Sequence, residues 1–392
     1  MVQAKPPGCA HVLPVPDGLT VHVVGRLTPA VLSFLLPVIR VLSSSGRRQA
    51  LLYINDEGGL KLSMAVPNDV HRVHVRDSDS VWLRCTALFR ALQQFCLQYP
   101  IDVVHVHGLL PAVAAARLLR GSAKRRVDVV FSPHSSRIFG WAVVKHAMFR
   151  CVRSPSVGSS AVRVLVNLQS EARLLAPFGG FAVQVIDCPV PPVFFDIPRN
   201  EGGPPLLISC NVACHRAAID GFLRVAVLVN DDRLEINFNW IGNTEADAVK
   251  ALQAAGVACF EPSNISFRAD QFSTAWVYLA TGDERGFPLH LVEAMAAGLP
   301  CVALDTEAHR SVVVQGETGY LYANVREMLE RIGELVDSQQ LRHKLGQNAR
   351  RVAELRFSET VFQHRFWHAI DSNAKSVPAL GHGVCAPSEP FG

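Results

Sequence analysis

The stretch "WVYLATGDERGFPLHLVEAMAAGLPCVALD", residues 276–305, decides the fold class. It begins and ends with apolar runs typical of buried strands, and a short apolar helix lies between them. Pro288 suits the first turn of that helix, and Gly298 suits the residue just past its end. The stretch is therefore predicted to form a strand, a loop, a helix and a second strand, in which the two strands pair in parallel.

The loop of this unit lies at the carboxyl edge of the predicted sheet. Open α/β sheets bind ligands at that edge, and the free N–H groups of a helix N-terminus attract an anion such as a phosphate. At about 100° per residue, His290 and Glu293 share one side of the helix with Ala294 and Ala297. A carboxylate in this place can accept hydrogen bonds from a pair of ribose or sugar hydroxyls. The alternative is a glutamate that simply faces solvent.

Strands and helices alternate over most of the chain. Runs such as "TVHVVG", "QALLYIND" and "LLISCN" are mainly apolar, as expected of strands covered by helices on both faces. Six prolines and two glycines interrupt the alternation between Cys188 and Pro205, as in a linker. The sequence predicts the α/β class, with two Rossmann-like doubly wound domains facing a cleft. The predicted parts are an N-terminal domain (1–187), a linker (188–205), a C-terminal domain (206–355), a helix crossing back (356–372) and a flexible tail (373–392).

Composition agrees with a two-domain globular protein. The chain has 392 residues, of which 49% are hydrophobic and 18% charged, which is enough to form two cores. Residues 1–190 contain 21 Lys and Arg against 10 Asp and Glu, a net charge of +11, which leaves −7 for the remainder. A basic half can attract anionic lipid, phosphorylated substrates or nucleic acid, or it can be a solvated surface. We expect no nucleic-acid partner.

The N-terminus lacks the basic and apolar regions of a secretory signal, and the ten cysteines have no repeated spacing. The longest apolar run, "LTPAVLSFLLPVI", is short and broken by proline, so a buried helix is favoured over a membrane span. We expect a cytoplasmic protein, with the inner face of the cytoplasmic membrane as an alternative location.

The stretch "RGFPLHLVEAMAAGLPCVALDTEAHRSVVVQGETGYLY", residues 285–322, resembles the C-terminal signature of retaining, nucleotide-sugar-dependent glycosyltransferases of the GT-B fold, the family-four group. The resemblance continues through most of residues 275–370. It implies that Glu293 binds the ribose of the donor nucleotide. It also implies that Gly286, Phe287, Pro288 and Leu289 form the donor loop and the start of its helix.

One position of this signature departs from the family. Arg285 stands where the family has a first glutamate beside the donor sugar. Either Glu284, one residue earlier, supplies the carboxylate, or the donor sugar is recognised differently, or activity is lost. By resemblance, Glu284 and Arg285 are candidate catalytic residues.

The N-terminal half contains a third candidate catalytic residue. "VVFSPHSSR", residues 129–137, resembles the strand after which family members place a histidine near the donor sugar, which makes His134 the candidate. From the residues alone a lone histidine at a strand end is more often structural, and the functional interpretation rests on its position at the sheet edge and on the resemblance. His105 and His107, on the preceding strand, are expected to be buried with satisfied partners. The basic and aromatic stretch 137–153 suits peripheral contact with an anionic membrane, or core packing with a solvated basic face.

Two family features that hold the donor phosphates are altered. Paired glycines of the first loop are replaced by Ala30 and Val31, whose Cβ atoms would crowd a phosphate. A Gly-Arg pair is replaced by Asn211 and Val212, and the lysine that follows it by Ala217. The neighbouring residue Arg216 is the candidate to bind the phosphate instead, in bidentate fashion.

No metal or cofactor is expected. No acidic motif suited to binding a metal stands in place of the missing phosphate-binding cations, and Cys210, Cys214 and His215 lack the second ligand pair of a structural zinc site. The nucleotide sugar would itself be the donor substrate.

The resemblance implies a retaining, metal-independent hexosyltransferase. It would move a sugar from a nucleotide sugar to a glycan or a lipid-linked acceptor, in the synthesis of a cell-surface or exported polysaccharide. The altered positions leave an alternative from another class, a non-catalytic GT-B homologue that binds a partner protein or a glycan.

Overall fold

The computed structural model describes residues 18–56, 62–121, 127–134, 162–178, 182–211, 216–231, 236–262, 264–283 and 286–370. Two parallel sheets form the frame of these residues. The N-terminal sheet has seven strands: β1 (Leu19–Leu27), β2 (Arg48–Asp56), β3 (His71–His74), β4 (Ile101–His107), β5 (Asp128–Ser132), β6 (Val162–Val166) and β7 (Ala182–Val185). The C-terminal sheet has six: β8 (Leu206–Cys210), β9 (Asn237–Ile241), β10 (Val257–Phe260), β11 (Val277–Ala280), β12 (Cys301–Leu304) and β13 (Gly319–Tyr322).

Helices connect these strands and cover both faces of each sheet. The first domain contains α1 (Pro29–Ser44), α2 (Val81–Gln98), α3 (Leu109–Gly121) and α4 (Gln169–Leu175), with single 3-10 turns at Leu62–Ala65 and Ala176–Phe178. One helical turn, α5 (Val193–Asp196), lies within the proline-rich segment. The second domain contains α6 (Arg216–Asp231), α7 (Ala246–Ala254), α8 (Ile265–Thr274), α9 (Leu289–Ala296), α10 (Glu307–Arg310), α11 (Val325–Asp337), α12 (Gln339–Phe357) and α13 (Glu359–Ile370).

The strand order of each sheet reverses once. The orders are β3-β2-β1-β4-β5-β6-β7 and β10-β9-β8-β11-β12-β13, and all the pairs are parallel. The reversals fall between β1 and β4 and between β8 and β11. A crevice opens at the carboxyl ends of the strands where the order reverses, and open α/β sheets bind ligands there. The predicted α/β class with two doubly wound domains is confirmed.

Burial follows from the helices on both faces. In β1, Val21 and Val23 pack into one apolar cluster with α2 and α3, while Val24 packs into another with α1. Because each face of the strand meets a helix, both sets of alternating side chains are buried, and the face toward α1 also carries the buried polar residues Thr20 and His22.

The chain returns to the first domain through α13. Phe362 of α13 packs edge-on against Phe34 of α1, with ring centroids 5.6 Å apart. Asp187, which is 3% exposed, accepts hydrogen bonds from Arg356 of α12 and Arg365 of α13 at 2.8–2.9 Å. These contacts fasten the end of the second domain to the start of the proline-rich segment.

No helix in the described ranges is long and apolar enough to cross a membrane. The basic stretch 137–153 and the tail 373–392 lie outside the described residues, so the expectations for them stay predictions.

Candidate active site

The crevice of the C-terminal sheet is built by close packing of two chain segments. An added Cβ at Gly282, just after β11, would lie 2.6 Å from Ala218 Cβ, and one at Gly221 would lie 2.9 Å from Thr281 Cβ. Thr281 Oγ1 also donates a 2.7 Å hydrogen bond to the carbonyl of Ala218. The loop after β11 therefore lies directly against the first turns of α6, and only glycine permits this approach.

Arg216 is the first residue of α6 and borders this crevice. Its Nε donates to Asp220 Oδ1 at 2.9 Å, and both side chains are more than half exposed. An exposed pair of this kind contributes little free energy, so the guanidinium is available to an anion. Ala217 is exposed beside it, while Val212 lies outside the described residues.

The predicted donor loop runs from Gly286 into α9. An added Cβ at Gly286 would meet no atom within 4 Å. Phe287 packs edge-on against Phe357 of α12 at 5.7 Å. Phe287 and Leu289 also pack against the apolar cluster that contains Phe34 of the first domain. The loop is thus open at its glycine and anchored between the domains by its apolar side chains.

Pro288 occupies the N-cap position of α9, where its side chain makes no capping hydrogen bond. Its carbonyl accepts the first helical hydrogen bond, from the N–H of Val292 at 3.1 Å. The N–H of Leu289 donates to the carbonyl of Phe287 at 2.9 Å. The first turn of a helix has further N–H groups without a helical acceptor, and the predicted anion site at this end stays a prediction. Glu284 and Arg285 lie outside the described residues, and their roles stay predictions.

Glu293 is buried in the second domain, with 1% of its surface exposed. Arg268 of α8 donates to it twice, from Nη2 to Oε1 at 2.8 Å and from Nε to Oε2 at 3.3 Å. His290, one turn earlier on α9, lies 3.0 Å away through Nδ1 and Oε2. The alternative of a solvent-facing glutamate is wrong, while the predicted contact of Glu293 with ribose stays a prediction.

Arg268, His290 and Glu293 are all ionised. Burial acts to raise the pKa of Glu293, but the charges of Arg268 and His290 outweigh it and hold that pKa below its usual value. Burial acts to lower the pKa of His290, yet its interactions with Cys210 and Glu293 raise that pKa to about 10. Near pH 7 the cluster therefore contains two cations and one carboxylate.

Sequence reasoning placed His290 beside Glu293 but missed Arg268. The signal was present in α8, where Arg268 occupies an otherwise apolar stripe with the buried Phe272 four residues later. A buried arginine needs a carboxylate partner. The sequence alone does not show which carboxylate pairs with Arg268.

His134 follows β5 and has a left-handed backbone, with φ of +56°. Its ring stacks on that of His107 at 5.1 Å, and His107 Nδ1 lies 2.8 Å from His134 Nε2. Phe34 contacts it edge-on at 5.5 Å. Burial lowers the pKa of His134 to about 4, so the imidazole is neutral. Non-glycine residues in this region cluster at functional sites.

Three more histidines lie next to His134 on the same face of the N-terminal sheet. His22, His105 and His107 are at most 2% exposed, and His22 pairs with His105 in the register of β1 and β4. The expected burial of His105 and His107 is confirmed. The expectation of satisfied partners is wrong for one atom, because His107 Nε2 has no hydrogen-bond partner among the described residues.

The altered positions of the first loop belong to a helix. Ala30 and Val31 lie in the first turn of α1, and Thr28 caps that helix by accepting the N–H of Val31 at 3.1 Å. The N–H of Val31 is therefore already satisfied, while the expectation that Ala30 and Val31 crowd a phosphate stays a prediction.

The structure brings the two halves of the predicted site to the interdomain region. Phe34 touches His134 from the first domain, and the cluster that contains Phe34 also receives Phe287 and Leu289 from the donor loop. Glu293 follows that loop within α9, and Arg216 begins α6 of the same domain.

Comparison with protein families agrees with this architecture. A model described as "Glycosyl transferases group 1" matches residues 194–352, and one described as "Glycosyl transferase 4-like domain" matches residues 38–189. The chain belongs to the group 1 glycosyltransferases of the GT-B fold.

Curated relatives match over shorter stretches. The chain is 34% identical over 88 residues to "Spore coat protein SA" and 36% identical over 85 residues to "Putative glycosyltransferase EpsD", both of Bacillus subtilis (strain 168). The first match covers 22% of this chain and 21% of the relative, and the second covers 21% and 22%. The matched region thus spans about a fifth of the length of each relative.

Solved structures match over nearly the whole chain. Sucrose-phosphate synthase from Thermosynechococcus elongatus superposes with a TM-score of 0.70 at 13% identity, covering 89% of this chain and 97% of that one. Anabaena Alr3699/HepE, in complex with UDP and glucose, gives 0.66 at 14% identity, covering 88% and 98%. At these identities the likeness shows the fold alone.

Proposed function

We propose that the protein is a glycosyltransferase that moves a hexose from a nucleotide sugar to a glycan or a lipid-linked acceptor, with retention of configuration. One observation carries the proposal. The crevice of the C-terminal sheet is bordered by the N-terminus of α9, by the unobstructed Gly286 and by the exposed guanidinium of Arg216. His134 lies across the domain interface from this crevice.

In this proposal the nucleotide diphosphate lies at the start of α9. The N–H groups there and the guanidinium of Arg216 stabilise the charge that develops as the diphosphate leaves. No metal takes part in this step. The buried cluster of Arg268, His290 and Glu293, with one more cation than anion, adds positive potential behind the loop.

Glu293 would bind the donor ribose by using its remaining acceptor capacity. A carboxylate offers about four lone-pair sites, and Glu293 uses three in contacts with Arg268 and His290. A ribose hydroxyl can take the fourth, and a second can replace His290.

His134 would contact the donor sugar as a neutral imidazole. Cleft closure excludes water, so that an acceptor hydroxyl attacks the anomeric carbon in its place. Retention and the hexose donor rest on the family resemblance. The relatives named for a spore coat and as EpsD support a role in polysaccharide synthesis.

Calorimetric titration of the full-length protein with UDP, GDP, ADP and their sugar conjugates tests the donor site. We expect one nucleotide to bind, and Arg216→Ala to weaken it about 10- to 100-fold, the value of a charge-assisted hydrogen bond. Arg326→Ala is the matched control, because Arg326 also makes an exposed i,i+4 pair, with Glu330.

His134→Asn tests the catalytic role of His134, since asparagine tolerates the left-handed backbone. The substitution should lower kcat and leave nucleotide affinity unchanged.

A second candidate is a non-catalytic homologue that binds a partner protein or a glycan. It is favoured by the two hydrogen bonds that hold Glu293 to Arg268 and by the alanine at position 217, where the family has a lysine. The same titration decides between the two, since failure of every nucleotide to bind would refute the donor site.

We also propose peripheral contact with an anionic membrane at the inner face of the cytoplasmic membrane, supported by the +11 charge of residues 1–190. Sedimentation with vesicles containing an anionic lipid should carry the protein down at low salt and release it at high salt. Equal sedimentation with neutral vesicles would argue against this contact.

A further inference from the structure

The N-terminal sheet carries three histidines that converge where its strand order reverses. His22 on β1 and His105 on β4 are neighbours in register, and His107 follows His105 by two residues, on the same face. One ring nitrogen from each lies within 4.8 Å of the other two. All three are buried beneath α1, away from solvent.

The tautomer of His22 follows from the contacts of Gln49. The amide nitrogen of Gln49 donates to the carbonyl of Ile39 at 3.0 Å and lies 2.8 Å from Ser43 Oγ. Its amide oxygen must then face His22, so His22 Nε2, at 3.0 Å, carries the hydrogen and donates it. His22 Nδ1 is therefore an unprotonated nitrogen, and it has no hydrogen-bond partner among the described residues.

His105 and His107 show the same division between their ring nitrogens. His107 uses Nδ1 with His134, and its Nε2 has no partner in the described part of the chain. His105 uses Nε2 with Ser132 Oγ at 2.9 Å, which leaves Nδ1 as its candidate ligand atom. A histidine that binds a metal typically makes this kind of hydrogen bond with its second nitrogen, and that bond orients the ring.

We propose that His22, His105 and His107 form a binding site for one divalent cation of the zinc type. Imidazole nitrogens suit Zn²⁺, Co²⁺, Ni²⁺ and Cu²⁺, and a ligand imidazole must be neutral. Zinc-to-nitrogen bonds of about 2.0–2.1 Å in a tetrahedral site place the nitrogens roughly 3.4 Å apart. The three nitrogens, which lie within 4.8 Å of one another, would therefore approach by up to about 1.4 Å through side-chain rotation.

The site satisfies buried atoms that otherwise cost free energy. A buried polar atom without a hydrogen-bond partner destabilises the folded state, and His22 Nδ1 and His107 Nε2 are two such atoms among the described residues. The expectation of no metal was based on Cys210, Cys214 and His215 and on acidic motifs. The histidine cluster is not visible in the sequence because His22 on β1 is far along the chain from His105 and His107 on β4.

Metal at His107 would also fix the proton on its neighbour. With Nε2 bound to the cation, His107 Nδ1 must donate its hydrogen to His134 Nε2. His134 then carries its own hydrogen on Nδ1. This makes the cation a positioning element for His134, a consequence that rests on the proposed function, whereas metal binding itself does not.

Co²⁺ titration of the chelator-treated, full-length protein tests the site, followed by displacement with Zn²⁺. The exposed pair His364 and His368, whose Nε2 atoms are 3.1 Å apart on α13, can also bind metal. We therefore use a background that carries His364→Gln and His368→Gln. About one equivalent of Co²⁺ should bind in that background, with visible absorption from nitrogen ligands.

Variants of the cluster assign the ligands. His22→Gln should abolish the absorption, and Gln49→Leu should weaken binding about 10- to 100-fold as the loss of an orienting partner does. The double variant His22→Leu/Gln49→Leu removes ligand and partner together and keeps an apolar interior, so it tests the ligand if the single variant fails to fold. The proposal is wrong if the protein that carries His364→Gln and His368→Gln binds no Co²⁺. It is also wrong if both His22 variants bind Co²⁺ as well as that protein does. Nucleotide binding measured on the same samples reports separately on the proposed function.

Discussion

The two domains hold buried histidines in opposite charge states. In the first domain, burial lowers the pKa of His22 and His134 to about 4, so both imidazoles are neutral. In the second domain, interactions with Cys210 and Glu293 raise the pKa of His290 to about 10 in spite of burial, so it is charged. His22 is 0% exposed and the side chain of His290 is 15% exposed, and His290 is charged because its partners outweigh the effect of burial.

This difference separates two kinds of buried polar cluster. The first-domain cluster consists of neutral rings with spare nitrogens, which a cation can use. The second-domain cluster is a salt-bridged group whose members depend on one carboxylate. Removing one side chain of the cluster should therefore lower the free energy of unfolding much more in the second domain than in the first.

The largest effect is expected from Glu293→Gln. It leaves Arg268 buried and without its counter-charge, which costs about 3–5 kcal/mol of the free energy of unfolding. Urea denaturation at pH 7 measures it. The exposed Glu330→Gln is the control and should cost under about 1 kcal/mol. If Glu293→Gln and Glu330→Gln lower the free energy of unfolding equally, the buried cluster is not charged. The double variant Arg268→Met/Glu293→Leu removes both charges and should recover much of the lost stability.

A pH dependence of similar size, at most roughly 5 kcal/mol, is expected from His290. Its pKa is raised from 6.5 to about 10 in the folded state. The stabilising contribution is therefore complete below pH 6.5 and is lost as the pH rises from 6.5 to 10. His290→Gln should remove this part of the slope when the free energy of unfolding is measured against pH. An unchanged slope in the variant would show that other groups cause it.

A smaller cost, about 1–3 kcal/mol, is expected from His22→Leu in metal-free protein. The substitution removes a neutral ring and leaves the amide oxygen of Gln49 without its donor. Denaturation in the presence of a chelator measures it, and His22→Leu/Gln49→Leu is the control that should recover part of the loss. A cost as large as that of Glu293→Gln would mean that the first-domain cluster is not neutral.

The smallest effect on stability is expected from Arg216→Ala. Because the pair with Asp220 is exposed, its loss should change the free energy of unfolding by about 0.2–1 kcal/mol. Thermal unfolding alongside Arg326→Ala measures it. A large loss would assign Arg216 a structural role and undermine its use as a phosphate ligand.

Much of the fold could be predicted from local pattern. Apolar runs marked the strands, and Pro288 and Gly298 marked the ends of one short helix, which the structure places at Leu289–Ala296. Such signals act within a few residues, so a single sequence contains them in full. The proline-rich segment was also recognisable, although its helical turn at Val193–Asp196 was not, since Phe194 is buried there by packing against the second domain.

The candidate site was predicted only in part. His290 and Glu293 lie three residues apart on one helix, so the helical period alone placed them together. Arg268 lies 25 residues earlier, and its contact with Glu293 depends on how α8 packs against α9. In the same way, His22 meets His105 because β1 and β4 pair, 83 residues apart in the chain.

The sequence by itself determined the class, the alternation of strands and helices, and the residues that could do chemistry, because these depend on residue type and short-range spacing. Only the tertiary structure decided the charge of each histidine and the partner of each carboxylate. The free energy of a buried charge depends on burial and on the nearest opposite charge, and both are set by segments that are distant in the chain and meet when the two sheets form.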